Sequence, residues 1–415
     1  MNMDKINKVI EEAKKLSTPS QEERKIVNGI VNHFISVLSS KIKEMNIDAV
    51  PVVCGSVARG TWTKGIRDID IFIKFSKKYE NISLICKKIC ESCFKKFEII
   101  HGSRDYFKVK YKNFDVEIVP VLFINNPLEA ENITDLSPLH VDYIKERINE
   151  NLASEIRILK KFCKANNCYG AESSVHGFSG YSLELLILYF KSFRNLAEFF
   201  ENSKPKIIID IEKHYSSSKE ILKKLSPPRK KSPIILIDPI LKERNACASL
   251  NYKVFSKFLF AIRNFLRNPH LSFFKEKEIR KIDLKKRSRY RGTKIFITEV
   301  KIKGNEDVFL SKLERNLGRV KSRMEKEGFR IYEYGFHKKK NKAVVYFELE
   351  NWKISKRGRH YGPPVWVKKE YFDKFILKWK KKAYPFETRL AVDIKRENNG
   401  LRKLKLLLKE YLKDI

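Results

Sequence analysis

Over residues 1–45 the apolar positions fall at helical spacing, with Ile26, Ile30 and Phe34 on one stripe. Ser20-Gln21-Glu22-Glu23 reads as the start of the second of two helices there, a capping serine followed by early acids. From 50 to 75 the period changes. Val52-Val53 is a short apolar strand, Gly55 to Gly65 is turn-rich with helical potential, and Ile69 to Phe75 reads as a strand. A helix is predicted near 82–97, then strands near 106–111 and 114–121. Strand, helix, strand, helix, strand in that order predicts an α/β head with a small mixed sheet.

Residues 151–200 return to helical spacing, first through Ile156, Leu159 and Phe162, then through Leu183, Leu186, Leu188 and Phe190. The Pro- and Lys-rich stretch from Ser226 to Pro233 reads as a loop, and 252–268 as a further helix. A third region opens near 290 with a strand (Lys294 to Lys301), a basic helix (Val308 to Glu327) and strands near 329–335 and 342–350. That β-α-β-β order resembles half of a ferredoxin-like unit. The last fifty residues are mixed. The expected organisation is therefore multidomain, α/β and α+β: a head over 1–150, a mostly helical domain over 151–285 and an α+β body over 286–415.

Length and composition agree with this picture. A chain of 415 residues with 42% hydrophobic residues can bury several ordinary cores. No run of eighteen apolar residues occurs and the charged start has no signal-like apolar stretch, so a soluble, cytoplasmic protein with no membrane partner is expected. Seven cysteines, an odd number, fit reduced thiols better than a disulfide framework. Cys86, Cys90 and Cys93 have a spacing also used for iron–sulfur clusters. With Ile82, Ile85 and Ile89 beside them they read instead as one buried helix face, where free cysteine behaves as a small hydrophobe.

Charge changes the picture more. The formal net charge is +37, yet residues 1–150 hold 24 Lys+Arg against 21 Asp+Glu, and residues 151–415 hold 63 against 29. General lysine enrichment would not leave the first third nearly neutral. The asymmetry points to a chemical head joined to a polyanion-gripping remainder.

The chemistry concentrates in Gly55-Ser56-Val57-Ala58-Arg59-Gly60-Thr61, followed by Asp68-Ile69-Asp70-Ile71-Phe72. On a strand, Asp68 and Asp70 share one face while Ile69 and Ile71 pack behind. Adjacent carboxylates repel unless a cation lies between them. A hard ion such as Mg²⁺, content with a few carboxylates, water and phosphate oxygens, suits the pair. Gly55 permits close backbone approach, the Ser56 hydroxyl can hold a phosphate, and Arg59 adds positive charge. Phe114 to Pro120 supplies a third carboxylate on a neighbouring strand, either Asp115 or Glu117, which share a face. Such an acidic triad is the donor set of a two-metal site for phosphoryl chemistry. A lone D-x-D is most often a solvated strand face; the glycine-rich segment and the later acidic strand make this combination specific.

The segment resembles the DNA polymerase β-type nucleotidyltransferase superfamily. Ser137-Pro138-Leu139-His140, Ile158 to Asn166, Tyr169-Gly170-Ala171-Glu172, Gly177 to Tyr181 with Glu184-Leu185-Leu186, and Ile237-Asp238-Pro239 with Arg244-Asn245 narrow it to the archaeal, class I CCA-adding tRNA nucleotidyltransferases. The similarity runs from about 50 to 275, and in outline beyond. It implies template-independent addition of C, C and A to tRNA 3′ ends from CTP and ATP, with Mg²⁺, by a chain that forms a homodimer. It also implies Asp68, Asp70 and Glu117 as metal carboxylates, and Ser56 and Arg59 as nucleotide contacts in the head. His140, Lys160 and Tyr169 would contact the incoming CTP or ATP, and Arg244 would lie near the incoming base and the primer end. One departure stands out: the family usually has Asp at the third acidic position, often with Glu at the first, and here the longer acid is third.

Plainer readings stand beside these. His140 follows Pro138 as a helix cap would, Lys160 lies in a basic helical stretch that is by default solvated, and Tyr169 near Asn166-Asn167 fits a core aromatic. Gly177 to Tyr181 reads as a tightly packed helix entrance. Further on, Lys353, Lys356, Arg357, Arg359, His360 and Tyr361 interleave charge with rings between Trp352 and Trp366, and Arg315, Arg319, Lys321 and Arg323 stud the basic helix; both suit RNA contact. The rival functions are another RNA-tailing enzyme, such as a poly(A) polymerase, and a catalytically silent RNA-binding protein.

Overall fold

A computed structural model describes residues 2–102, 104–277 and 280–413. The chain divides into two compact units, Met1–Lys277 and Glu278–Ile415. Helices α1 (Asn2–Ser17) and α2 (Gln21–Glu44) open the first unit. The Ser20 side chain accepts from the Glu23 amide at 3.1 Å while the Glu23 carboxylate accepts from the Ser20 amide at 2.8 Å, so two otherwise orphaned donors fix the start of α2.

The head follows as β1 (Ala49–Val53), α3 (Gly55–Ala58), β2 (Asp68–Phe75), α4 (Ile82–Cys93), β3 (Glu98–Ile100), β4 (Tyr106–Tyr111) and β5 (Phe114–Leu122). Its sheet has the order β1-β2-β5-β4-β3, with only β2 and β5 parallel among these pairings. Val27, Ile30, Phe34, Leu38 and Ile42 of α2 pack with Cys86, Ile89 and Cys90 of α4 over Ile69, Ile71, Ile73, Val116 and Ile118 of the sheet. The cysteine trio is thus a helix face, with Cys86 and Cys90 in the core, Cys93 half-buried at its edge and all three thiols free. Helix α4 stops at Cys93, short of the predicted 97, because Phe94 turns extended and stacks on Phe34 at 5.2 Å.

The first unit continues through α5 (Ser137–Arg147), α6 (Glu150–Ala165), α7 (Gly180–Phe190), α8 (Phe193–Glu201), β6 (Ile207–Ile209), α9 (Ser218–Lys224), β7 (Ile234–Leu236) and α10 (Tyr252–Arg267). A second core forms here around Phe162, Phe193, Phe258, Phe265 and Phe274, whose rings meet mostly edge to face. Ile6, Val9, Ile10 and Ala13 of α1 belong to this helical core rather than to the head sheet.

The second unit holds α11 (Lys281–Tyr290), β8 (Lys294–Lys301), α12 (Glu306–Lys326), β9 (Ile331–Lys339), β10 (Lys342–Leu349), β11 (Arg357–Pro364), α13 (Lys369–Trp379), β12 (Ala383–Phe386), β13 (Arg389–Lys395) and α14 (Gly400–Tyr411). The β8-α12-β9-β10 run forms an antiparallel sheet ordered β8-β10-β9. Ala343, Val345, Phe347 and Leu349 of β10 alternate toward Leu313, Leu317 and Val320 of α12 and Leu404 and Leu408 of α14. The mixed tail resolves into a second sheet, β11-β13-β12, against which α13 places Phe375. Here Arg359 lies 3.4 Å from the Phe386 ring centroid and Trp366 is exposed.

Candidate active site

Strand alternation sets the acidic face. Ile69 and Ile71 are fully buried, Asp68 is exposed and Asp70 half-buried between them. The parallel register pairs Asp68 with Asp115 and Asp70 with Glu117, so four carboxylates of two adjacent strands occupy one face at two levels. Gly55, at φ +62°, brings the chain entering α3 against this face: a Cβ there would lie 1.7 Å from an Asp70 carboxylate oxygen. Only glycine leaves the Asp70 carboxylate in place. Ser56 lies next to Gly55 in α3.

Electrostatics on this face is unbalanced. Burial, then the Glu117 and Asp68 charges, push the Asp70 carboxyl up to about 6, against the pull of Arg59 and Lys108. The Lys108 ammonium sits 2.9 Å from Glu117 Oε1. Burial pulls that ammonium down, yet its hydrogen bond to Glu117 prevails and holds it above the usual lysine range. Among the described residues no three His, Cys, Asp or Glu side chains already close into a metal cage. The donor set nevertheless fits a hard divalent ion: oxygens only, facing one way, with the Gly55 cradle keeping the Asp70 oxygen clear and a net negative charge that a cation relieves.

Beside this face lies a buried carboxylate, Glu184 of α7, with no exposure at all. Its Oε1 accepts from Lys160 Nζ of α6 at 2.7 Å and from Thr61 Oγ1 at 2.5 Å, and its Oε2 lies 2.7 Å from Arg59 Nε. Lys160 Nζ also donates to Thr61 O at 3.2 Å and to Thr61 Oγ1 at 3.0 Å. Lys160 is therefore buried rather than on a solvated face, and burial pulls its ammonium down to about 8 although Glu184 pulls the other way. Tyr169 joins the group at the start of α7, where Gly180 leaves it room; a Cβ on Gly180 would come within 3.1 Å of the Tyr169 hydroxyl. Lys164 Nζ lies over the Tyr169 ring at 4.9 Å. Gly177, where a Cβ would meet the Cys168 carbonyl oxygen at 2.3 Å, makes the tight entrance to α7 that the glycine spacing predicts.

A second buried carboxylate, Asp238, gathers the remaining candidates. It accepts from the Tyr181 hydroxyl at 3.1 Å and the Ile240 amide at 3.0 Å, lies 3.1 Å from His140 Nε2, and forms an ion pair with Arg244. His140 sits in the first turn of α5, not at its cap, with its ring against Tyr181 at 4.3 Å. Burial lowers the His140 pKa, opposed by Asp238. Burial would raise Asp238, but His140 and Arg244 outweigh it and hold the carboxyl below the carboxylate range. Arg244 also lines a cleft of about 320 Å³ with Ile133, Ala171, Ser179, Arg229 and Ser249.

The nine sequence-predicted residues thus fall into three groups: Asp68, Asp70 and Glu117 with Ser56 nearby; Arg59, Lys160 and Tyr169 around Glu184; His140 and Arg244 on Asp238. Sequence reasoning gave no role to Glu184, Asp238, Thr61, Tyr181 or Lys108. One signal was available: Glu184 is a lone acid in Leu183-Glu184-Leu185-Leu186-Ile187-Leu188, and an acid amid such a run implies a buried partner.

Comparison with known proteins agrees along most of the chain. Residues 35–162 match the nucleotidyltransferase domain family, 154–275 the second domain of tRNA nucleotidyltransferase, and 291–412 the C-terminal domain of CCA-adding enzyme. The chain is 36% identical over 397 residues to a CCA-adding enzyme of Nanoarchaeum equitans, covering 94% of this chain and 96% of that one. It is 33% identical to the CCA-adding enzyme of Picrophilus torridus, covering 91% and 84%. In fold it is similar to a Cid1 poly(U) polymerase, with a TM-score of 0.51 at 14% identity over 65% of this chain and 98% of that one. The chain belongs to the archaeal family of CCA-adding tRNA nucleotidyltransferases.

Proposed function

We propose that this chain adds C, C and A to the 3′ end of tRNA from CTP and ATP, releasing pyrophosphate. The observation that carries the reading is the acidic face of β2 and β5, with Asp68 and Asp70 pointing one way and Glu117 in register beside them, against the Gly55 cradle. Asp68, Asp70 and Glu117 would hold Mg²⁺, which when bound supplies positive charge for an RNA 3′-hydroxyl and a triphosphate to meet.

The chain's own residues do the rest by placement. The Ser56 hydroxyl and the Arg59 guanidinium serve the phosphates, with Lys160 and Tyr169 behind them. His140 and Arg244, fixed on Asp238, contact the incoming nucleotide and the primer end. In-line attack of the 3′-oxygen on the α-phosphorus forms one P–O bond as the bond to pyrophosphate breaks, and holding both partners in line supplies much of the acceleration. The arrangement needs no template strand; the pocket walls and primer end choose the base. The basic second unit grips the tRNA body, the working assembly is a homodimer, and the place of action is the cytoplasm. No described helix is long and apolar enough to cross a membrane. The three proposed functional regions are the head to about residue 150, the helical region to about 285 and the α+β remainder.

The test is incubation with Mg²⁺, labelled CTP or ATP, and tRNA lacking one, two or three terminal nucleotides. Completion to CCA and arrest there is expected. Open-ended A tails would reassign the chain to the poly(A) polymerases, and tRNA binding without incorporation would leave a silent RNA-binding protein.

A further inference from the structure

Glu184 stands out among the buried groups because its charge does not balance what it holds. Arg59 and Lys160 bring two positive charges to one carboxylate, and side-chain exposure is 10% for Arg59, 3% for Lys160 and nil for Glu184. Buried cations are costly unless something anionic completes the set. The Lys160 ammonium has its three protons directed to Glu184 and to both oxygens of Thr61. Those groups take up all three protons, so its effect on a ligand runs through Thr61 and Arg59. These partners come from distant stretches: Arg59 and Thr61 from the glycine-rich segment of the head, Lys160 from α6 and Glu184 from α7.

We propose that Glu184 is a positioning residue for nucleotide use: it clamps Arg59, Thr61 and Lys160 onto one buried carboxylate, fixing the glycine-rich segment against α6 and α7, with one positive charge left over for a nucleoside triphosphate. The inference rests on the nucleotidyl-transfer reading above. Gly180 leaves room beside the clamp for Tyr169, since a Cβ there would come within 3.1 Å of the Tyr169 hydroxyl. The charged and titratable groups around Lys160 are Glu184 on α7, Arg59 at the end of α3, Lys164 on its own helix and the nearby Tyr169 phenol. Of these only Glu184 raises the ammonium's pKa, so its loss leaves a distinct mark.

Glu184→Gln tests the clamp. The amide keeps the shape and one acceptor but sets an NH₂ group against either Arg59 or Lys160. Expected is a fall of about tenfold or more in kcat/KM for both CTP and ATP, with tRNA affinity within about twofold of the parent. The alkaline limb of the pH profile should also move to lower pH, because the carboxylate that holds the Lys160 proton is gone. Unchanged nucleotide kinetics in a folded Glu184→Gln protein would overturn the proposal. So would an unmoved alkaline limb, which a purely structural role leaves in place. If Glu184→Gln does not fold, Thr61→Val decides: it removes only the bridging hydroxyl and should lower nucleotide use with tRNA affinity intact, and parental kinetics would overturn the clamp. A parent protein that adds no nucleotide would instead sink the functional reading on which the clamp rests.

Discussion

The two compact units weight charge differently, although the second also seals one carboxylate, Glu348, against Arg291 and Thr293. In Met1–Lys277 the decisive charges are internal: Glu184, Asp238 and Lys160 are all but sealed from solvent, each with named partners within about hydrogen-bonding distance. In Glu278–Ile415, which carries 40 Lys+Arg against 18 Asp+Glu, the cations stand mostly on the surface. Arg315, Arg319, Arg323 and Lys326 of α12 line an open cleft of about 410 Å³ with Tyr411. Sealed charges are weakly screened and fix geometry to tenths of an ångström. Exposed ones are screened by salt and act as a graded sum. The first arrangement suits chemistry at one phosphorus atom, the second a grip on a long polyanion.

Breaking this contrast at its strongest point means Asp70→Asn. Transfer should fall roughly 10²–10³-fold in single-turnover CMP incorporation while tRNA binding holds. Activity within tenfold of the parent would end the contrast. Next in size, Leu313→Ala removes a fully buried side chain between α12 and β10 and should destabilise the second unit by about 2–5 kcal/mol in denaturant unfolding. A change below about 0.5 kcal/mol would mean the grip does not depend on a packed core.

Asp238→Asn should lower kcat/KM for nucleotide by about tenfold, since His140 and Arg244 lose the charge they share. Equal losses for a tRNA-binding readout would blur the line between the units.

The pH dependence is subtler. Folding lowers the Lys160 pKa from 10.5 to about 8, so between those values the unfolded chain binds more protons and folding stability rises with pH. Over the same window the folded protein loses the clamp's extra positive charge, and KM for CTP should climb above about pH 8. A flat KM from pH 7 to 10 would contradict it. Smallest is Arg315→Ala with Arg319→Ala, expected to weaken tRNA binding severalfold and to cut the salt-dependence slope by about one to two. An unchanged slope would remove α12 from the grip.

Where the fold was legible, the cause was local. Ser20 and Glu23 announce α2 because both halves of a capping box lie within four residues. Asp68 and Asp70 declare a shared acidic face because a period of two needs only five consecutive letters. The clamp was not legible in that way: Thr61 and Glu184 are 123 positions apart, and nothing near Lys160 tells a buried ammonium from a solvated one. The periodicity of Ile6, Val9, Ile10 and Ala13 predicts an apolar face but not which of two cores receives it. Glu117 emerged from the acidic strand through family resemblance; the register adds Asp115 beside Asp68 on the same face, and Lys108 as the neighbour that the strand pattern alone could not supply.

Helix α1 has a consequence during synthesis. Its apolar stripe packs chiefly against α6 and the turn holding Leu271 and Phe273, so more than a hundred residues must be translated before its main partners exist. At about 5–20 residues per second the nascent chain carries that greasy stripe unprotected for roughly ten seconds or longer. The head sheet can form behind it in the meantime.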